Sequence, residues 1–332
     1  MLYRNCIKAA VIAACALSAS SALAKELSFA VFVPAASPTV KDVYQPWIDW
    51  FNEQSKADDV SIKLFAGGTL GRNPLTQLDL VANGVADMTL TVPSYTPGVF
   101  PDYDIFELPG FAATPREGSY AVKELYEEGK LRGYEDFHVV AVYTSGAYML
   151  HTKPPVASFE DIRDKKFRVA GKIQTAVIEA LGGVPQAMSA LEMAENIDRG
   201  LIDGAVADAS VAKTFRVTDV AKNHYVADLG VLVFTIVMNK SVYEALPEKV
   251  KANLLQSRQV VIDKHLDSYT KALKANLDAW EADPANTVVT PDEADRSRID
   301  AAVKPVVDMV AASASPGLID AYRAKLQDIR KR

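Results

Sequence analysis

The chain has 332 residues, 49% of them hydrophobic, and its 36 Lys and Arg against 42 Asp and Glu give a formal charge of −6. A mildly acidic chain is a poor partner for phosphate backbones, so nucleic acid is not expected to bind. The length passes the ~250–300 residues at which a single core stops growing, so two lobes are expected.

Arg4 and Lys8 precede an apolar run from Ala9 to Leu17, followed by Ser18 to Ser21 and Ala22-Leu23-Ala24. Basic, apolar and small residues in that order predict a secretory signal peptide over 1–24, cleaved after Ala24, and hence a periplasmic protein. A rival lipoprotein reading of Ile12-Ala13-Ala14-Cys15 leaves an apolar core of about four residues, short of the ~7–15 such signals use. Cys6 and Cys15 both lie in this segment, so the mature chain has no thiol, disulfide or thiolate metal ligand. Losing Arg4 and Lys8 moves its charge from −6 to −8. Beyond residue 24 no apolar run approaches the ~18–20 residues that cross a bilayer, so no direct membrane insertion is expected.

From Lys25 to about Tyr143, strand and helix patterns alternate. Leu27 to Val33 reads as a strand, and Ser37-Pro38 opens a helix through Phe51. Val60 to Phe65 alternates with period two, Leu75, Leu78 and Val81 have helical spacing, and Ala86 to Thr91 returns to strand. This β-α-β-α-β order predicts a mostly parallel sheet covered by helices, in a first lobe over 25–145. Thr152 to Ser158, with paired prolines, reads as an extended connector. A second α/β lobe over 146–232 follows: strand Phe167 to Val169, helix Gln174 to Leu181, a capping box Ser189-Ala190-Leu191-Glu192 and strand Gly204 to Ala207. Val231 to Met238 is too apolar for a half-exposed strand and too short to span a membrane, and reads as a buried strand passing between the lobes. Val250, Leu254, Val261, His265, Tyr269, Leu273, Leu277 and Trp280 mark one face of a long helix over 247–282, enough to run along both lobes. Thr290-Pro291-Asp292-Glu293 caps a further helix, and parts of 240–332 are expected to pack on the first lobe.

No Gly-x-Gly-x-x-Gly follows a strand, no phosphate-cradling Gly-Lys-Ser/Thr loop occurs, and no Gly-x-Ser-x-Gly elbow is present. The four histidines, His138, His151, His224 and His265, have no metal-ligand spacing, and His265 on the apolar stripe reads as core. Carboxylate pairs such as Asp102/Asp104 and Glu127/Glu128 read as solvated surface. No cofactor, metal or catalytic group is therefore predicted.

Six pieces, in order, resemble the substrate-binding proteins of tripartite ATP-independent periplasmic (TRAP) transporters of the DctP-like family. They are Gly67-Gly68-Thr69-Leu70-Gly71, Gly84 to Met88, Tyr95 to Pro101 leading to Phe106-Glu107-Leu108-Pro109, Lys166-Phe167-Arg168-Val169, Gly200 to Gly204, and Val237-Met238-Asn239-Lys240. The resemblance implies a two-lobe, type II-like periplasmic binding fold, closing like a flytrap, that binds an organic acid and docks on membrane permease subunits. It also implies that Arg168 pairs with the ligand carboxylate. Alternation alone leaves Arg168 open to a second reading, as a cation on a sheet surface beside Lys165 and Lys166. Its guanidinium nevertheless has the planar fork that a carboxylate's two oxygens match.

The chain departs from the sialic-acid-binding branch at Gly146-Ala147-Tyr148, which lacks that branch's second arginine, and at Ala205-Val206-Ala207-Asp208, which lacks the Gln-Glu-Asn of many members. Fewer polar contacts point to a monocarboxylate with an apolar or aromatic body. Tyr95, Tyr148 and Phe234 are candidates to stack on it or to be core. Asp208 either accepts from a ligand hydroxyl or faces solvent. Rival readings are a binding protein that presents its ligand to a sensor, and a periplasmic enzyme of similar shape.

Overall fold

The computed structural model describes residues 25–332, so the signal-peptide expectation lies outside the described residues. Two sheets organise them. The first has five strands in the order β2-β1-β3-β10-β4, where β1 is Lys25–Ala30, β2 Val60–Phe65, β3 Met88–Thr91, β4 Phe137–Thr144 and β10 Val233–Asn239. β1 pairs in parallel with β2 and β3, as the β-α-β-α-β reading requires, and β10 inserts antiparallel between β3 and β4. The second sheet has six strands in the order β11-β9-β5-β8-β6-β7, from β5 Met149–Thr152, β6 Lys166–Val169, β7 Val184–Ala187, β8 Gly204–Ala207, β9 Asn223–Tyr225 and β11 Thr287–Val289.

Four of those strands escape the sequence patterns for physical reasons. β7 contains Pro185 and is tolerated because it sits at the sheet edge, pairing only with β6. β9 and β11 are three residues each, and β5 is four, too short for a period to declare itself. The segment read as a connector thus begins as strand β5. The helix expected from Ser37 is also modified. Thr39–Tyr44 is a wide π turn in which the Gln45 amide bonds back to the Val40 carbonyl, and α-helix begins at Gln45. Pro46, lacking an N–H for its own turn, follows directly. Pro291 lies outside the later helix Glu293–Ser313, whose N-cap is Asp292, accepting from the Asp295 amide.

The buried apolar run is strand β10 of the first sheet and does not itself cross between lobes. Crossing is done by 145–148 and 226–232, which brace one another. The Ser145 amide donates to the Leu232 carbonyl, Tyr148 to Gly230, and Leu229 to Tyr148, while Ser145 Oγ accepts from the Leu232 amide at 2.8 Å. Gly230 has φ +88°, and a Cβ there would overlap the Glu107 carbonyl, so the crossing requires glycine.

The long helix Glu248–Ala282 has 35 residues, roughly 50 Å at ~1.5 Å per residue. Near its start Arg258 is tied to the first lobe, donating to the Val139 carbonyl at 2.8 Å and to Glu127 at 3.0 Å. Near its end Asn276 donates to the Ala209 carbonyl, and Trp280 stacks on His224 of β9 with centroids 4.1 Å apart. Helix Leu318–Arg330 packs on Pro115–Glu127 of the first lobe. There Asp102, expected on the surface, is fully buried: Arg132 forks onto it with two 2.7 Å bonds, and the Ser315 amide donates at 3.0 Å. Glu127 and Glu128, though partly exposed, are ion-paired to Arg258 and to Lys130 and Lys325.

Candidate ligand-binding site

Where the two sheets face each other, the C-terminal ends of β1, β3, β6 and β8 converge, the edge at which α/β sheets place ligands. Between them lies a cavity lined from both lobes. All five residues singled out from the sequence line it: Tyr95, Tyr148, Arg168, Asp208 and Phe234.

Arg168 is central. It lies on β6, between Gln186 of β7 and Ala205 of β8, and is 1% exposed, which removes the sheet-surface reading. Its Nε donates to the Met188 carbonyl at 2.9 Å, one Nη to Tyr95 Oη at 2.9 Å, and the other makes a long 3.5 Å contact with the Val206 carbonyl. A guanidinium has five N–H groups, so one remains on each terminal nitrogen, which is what a carboxylate's two oxygens require. Among the described residues Arg168 forms no ion pair, although Asp208 shares the cavity. A buried cation held by carbonyls and a phenol keeps its formal charge unmatched.

Asp208 follows β8 and caps helix Ala209–Thr214, its Oδ1 accepting from the Ser210 and Val211 amides at 2.7 and 3.0 Å. It is 1% exposed, so it does not face bulk water. Burial pushes its carboxyl up to about 7, against the pull of the two amides. Tyr148, on the crossing strand, is buried with its hydroxyl unpartnered. Burial, then nearby Asp208, raises that phenol further.

The first-lobe wall is aromatic. Phe234 of β10 stacks on Tyr143 of β4 with centroids 5.6 Å apart, and Tyr143 Oη bonds Tyr44 Oη at 2.7 Å. His265 of the long helix, read as core, does pack against Tyr143, yet it also lines the cavity. Its Nε2 is 2.8 Å from the Thr144 carbonyl. Tyr44, Tyr143, His265 and Tyr269 are among the lining residues that sequence reasoning missed, because helix and strand stripes of aromatic residues carry no mark separating core from cavity wall. Gly146 was noted for the arginine missing after it. Its own role is steric: a Cβ would overlap the Tyr269 hydroxyl.

The lobes are shut on this cavity. Tyr95 and Arg168 bond across it, Lys172 of the second lobe reaches Asp104 of the first at 3.2 Å, and a Cβ on Gly171 would come 2.7 Å from the Ser94 carbonyl oxygen. Asp208 is the one carboxylate in the cavity wall, and among the described residues no three His, Cys, Asp or Glu side chains gather as a metal cluster.

The model of the bacterial extracellular solute-binding protein family 7, DctP, matches residues 29–314. The chain belongs to that family. A solute-binding protein of Sulfitobacter sp. strain NAS-14.1 is 26% identical over 276 residues, 80% of this chain and 82% of that one. Among solved structures, a marine metagenome TRAP solute-binding protein specific for aromatic acid ligands, in complex with metahydroxyphenylacetate, superposes with TM-score 0.83 at 24% identity, covering 92% of this chain and 99% of the other. A TRAP periplasmic solute-binding protein of Xanthobacter autotrophicus Py2 with bound β-D-galacturonate superposes with TM-score 0.79 at 22% identity, covering 91% and 99%. Those two proteins share one fold and hold acids of unlike bodies, so the cavity wall and not the fold must choose between them.

Proposed function

We propose that this family 7 protein is a periplasmic receptor that binds a small monocarboxylate with an aromatic body and hands it to the permease subunits of a TRAP transporter, without transforming it. The observation that carries this reading is Arg168, a buried guanidinium at the wall of an interlobe cavity with no acidic partner among the described residues. An anion entering the cavity supplies the missing charge. Tyr95, already accepting from Arg168, ties the first lobe to the same group, so the ligand's carboxylate and the closure of the lobes share one anchor. Opposite it, Phe234, Tyr143 and Tyr44 form a wall suited to a flat ring. The aromatic-acid specificity of the metagenome protein is in keeping with this choice.

Closure draws on the direct contacts of Tyr95 with Arg168 and of Lys172 with Asp104, and the ligand adds further contacts across the cleft. Calorimetry with benzoate as probe tests the anchor. Arg168→Ala should weaken binding by about 2–5 kcal/mol, roughly 30- to several-thousand-fold. Arg168→Lys should recover little of it, because an ammonium lacks the fork. Equal affinity of the wild-type and Arg168→Ala proteins would remove the proposal.

A further inference from the structure

The first-lobe wall has hydrogen-bonding capacity that the protein leaves unused. A carbonyl oxygen can only accept, so the 2.8 Å contact of His265 Nε2 with the Thr144 carbonyl places a proton on Nε2. Burial in apolar surroundings holds this imidazole well below its ordinary value, down to about 4, so at neutral pH it carries that single proton. Nδ1 is then a bare lone pair, and no donor among the described residues reaches it. Beside it, with ring centroids 4.6 Å apart, stands Tyr143. Tyr143 and Tyr44 share one hydrogen bond between two hydroxyls, which consumes one of their two protons. Among the described residues the second O–H has no acceptor. The wall therefore offers one acceptor and one donor side by side, the complement of a single hydroxyl group.

We propose that the ligand is a hydroxylated aromatic acid whose ring hydroxyl donates to His265 Nδ1 and accepts from the Tyr44–Tyr143 pair, while its carboxylate sits on Arg168. This rests on the carboxylate reading above and adds the substituent that the wall selects. An unsubstituted ring leaves both groups unpaired in a dry cavity, and a methoxy group can accept but cannot donate.

The test compares benzoate, 3-hydroxybenzoate, 4-hydroxybenzoate and the corresponding methoxybenzoates by calorimetry on the purified protein. At least one hydroxybenzoate should bind about 5- to 150-fold tighter than benzoate, as two added hydrogen bonds give, and its methoxy counterpart should lose that gain. In His265→Phe, which fills the place of the ring and removes the acceptor, the ratio of hydroxybenzoate to benzoate affinity should fall towards one, whatever the change in benzoate binding itself. The Tyr44→Phe/Tyr143→Phe double variant should reduce it as well. If benzoate binds and neither hydroxybenzoate binds tighter, or if the preference survives in His265→Phe, the hydroxyl assignment is wrong and the Arg168 anchor stands. If no aromatic acid binds the wild-type protein, both fail.

Discussion

Arg168 and Asp208 share the cavity, and their chemistry is opposed. Arg168 is permanently cationic, whereas burial places the Asp208 carboxyl at about 7, near neutrality. With Asp208 protonated the cavity is net positive; with Asp208 ionised the two charges cancel and an entering carboxylate meets a like charge. A ligand acid that is itself ionised throughout should therefore bind more weakly as pH rises through about 7, and should push the Asp208 value higher still when bound. Asp208→Asn keeps an N-cap of similar quality for the helix that follows. In that variant the affinity should be flat across pH 6–8; an unchanged pH profile would show that another group is responsible. At the same scale, Gly146→Ala forces a methyl into the Tyr269 hydroxyl. The expected cost is about 1–3 kcal/mol in chemical denaturation, with a more open particle in X-ray scattering because the collision lies where chain and long helix meet between the lobes.

Among the elements, the long helix determines how the lobes are joined. It is fastened at one end by Arg258, whose guanidinium lies 6% exposed against β4 and bonds the Val139 and Val140 carbonyls as well as Glu127. At the other end it is held by Trp280 against a pair of buried histidines, His151 and His224, bonded through their Nδ1 atoms at 2.8 Å. Replacing Arg258 by Met keeps much of the packing and abandons the carbonyls and the carboxylate. The urea midpoint should fall by the equivalent of ~1.5–3 kcal/mol, while affinity for a ligand at Arg168 changes little because the cavity wall is elsewhere. A large loss of affinity would mean that the helix transmits its anchoring into the site.

Stability of the whole molecule carries a pH signature from groups buried away from their preferred charge. His138, His224 and His265 are lowered to about 4 and His151 to about 3, all chiefly by burial. The unfolded chain binds more protons at these four sites between their folded values and the ordinary 6.5, so stability rises with pH up to about 6.5. Glu107, raised by burial to about 8 and bonded by Ser94, and Asp208 at about 7 act in reverse. There the folded chain holds the extra proton, so stability is lost as pH rises through those values. Four sites outweigh two below pH 6.5 and are silent above it. The melting temperature of the ligand-free protein should therefore peak near pH 6.5 and decline by pH 8; a plateau from 6.5 to 8 would contradict the buried, protonated Glu107.

Periodicity and glycine placement alone carried the parallel strands β1 to β3, the long helix, the break between two α/β lobes and the strand that presents Arg168, because each is a local pattern whose partners are near in sequence. Arg168, Tyr95, Tyr148, Asp208 and Phe234 could be nominated the same way, from family motifs and from their places at strand ends. Locally legible features stop there. Short or proline-bearing strands such as β7 exist only because a neighbour completes them, and β10 joins the first sheet although the chain reaches it after leaving the second. Which aromatic residues face a cavity, which proton His265 keeps, and that Arg168 lacks an acidic partner depend on atoms brought together from segments up to two hundred residues apart. Burial and hydrogen-bond accounting are properties of that assembly, and no stretch of chain contains them by itself.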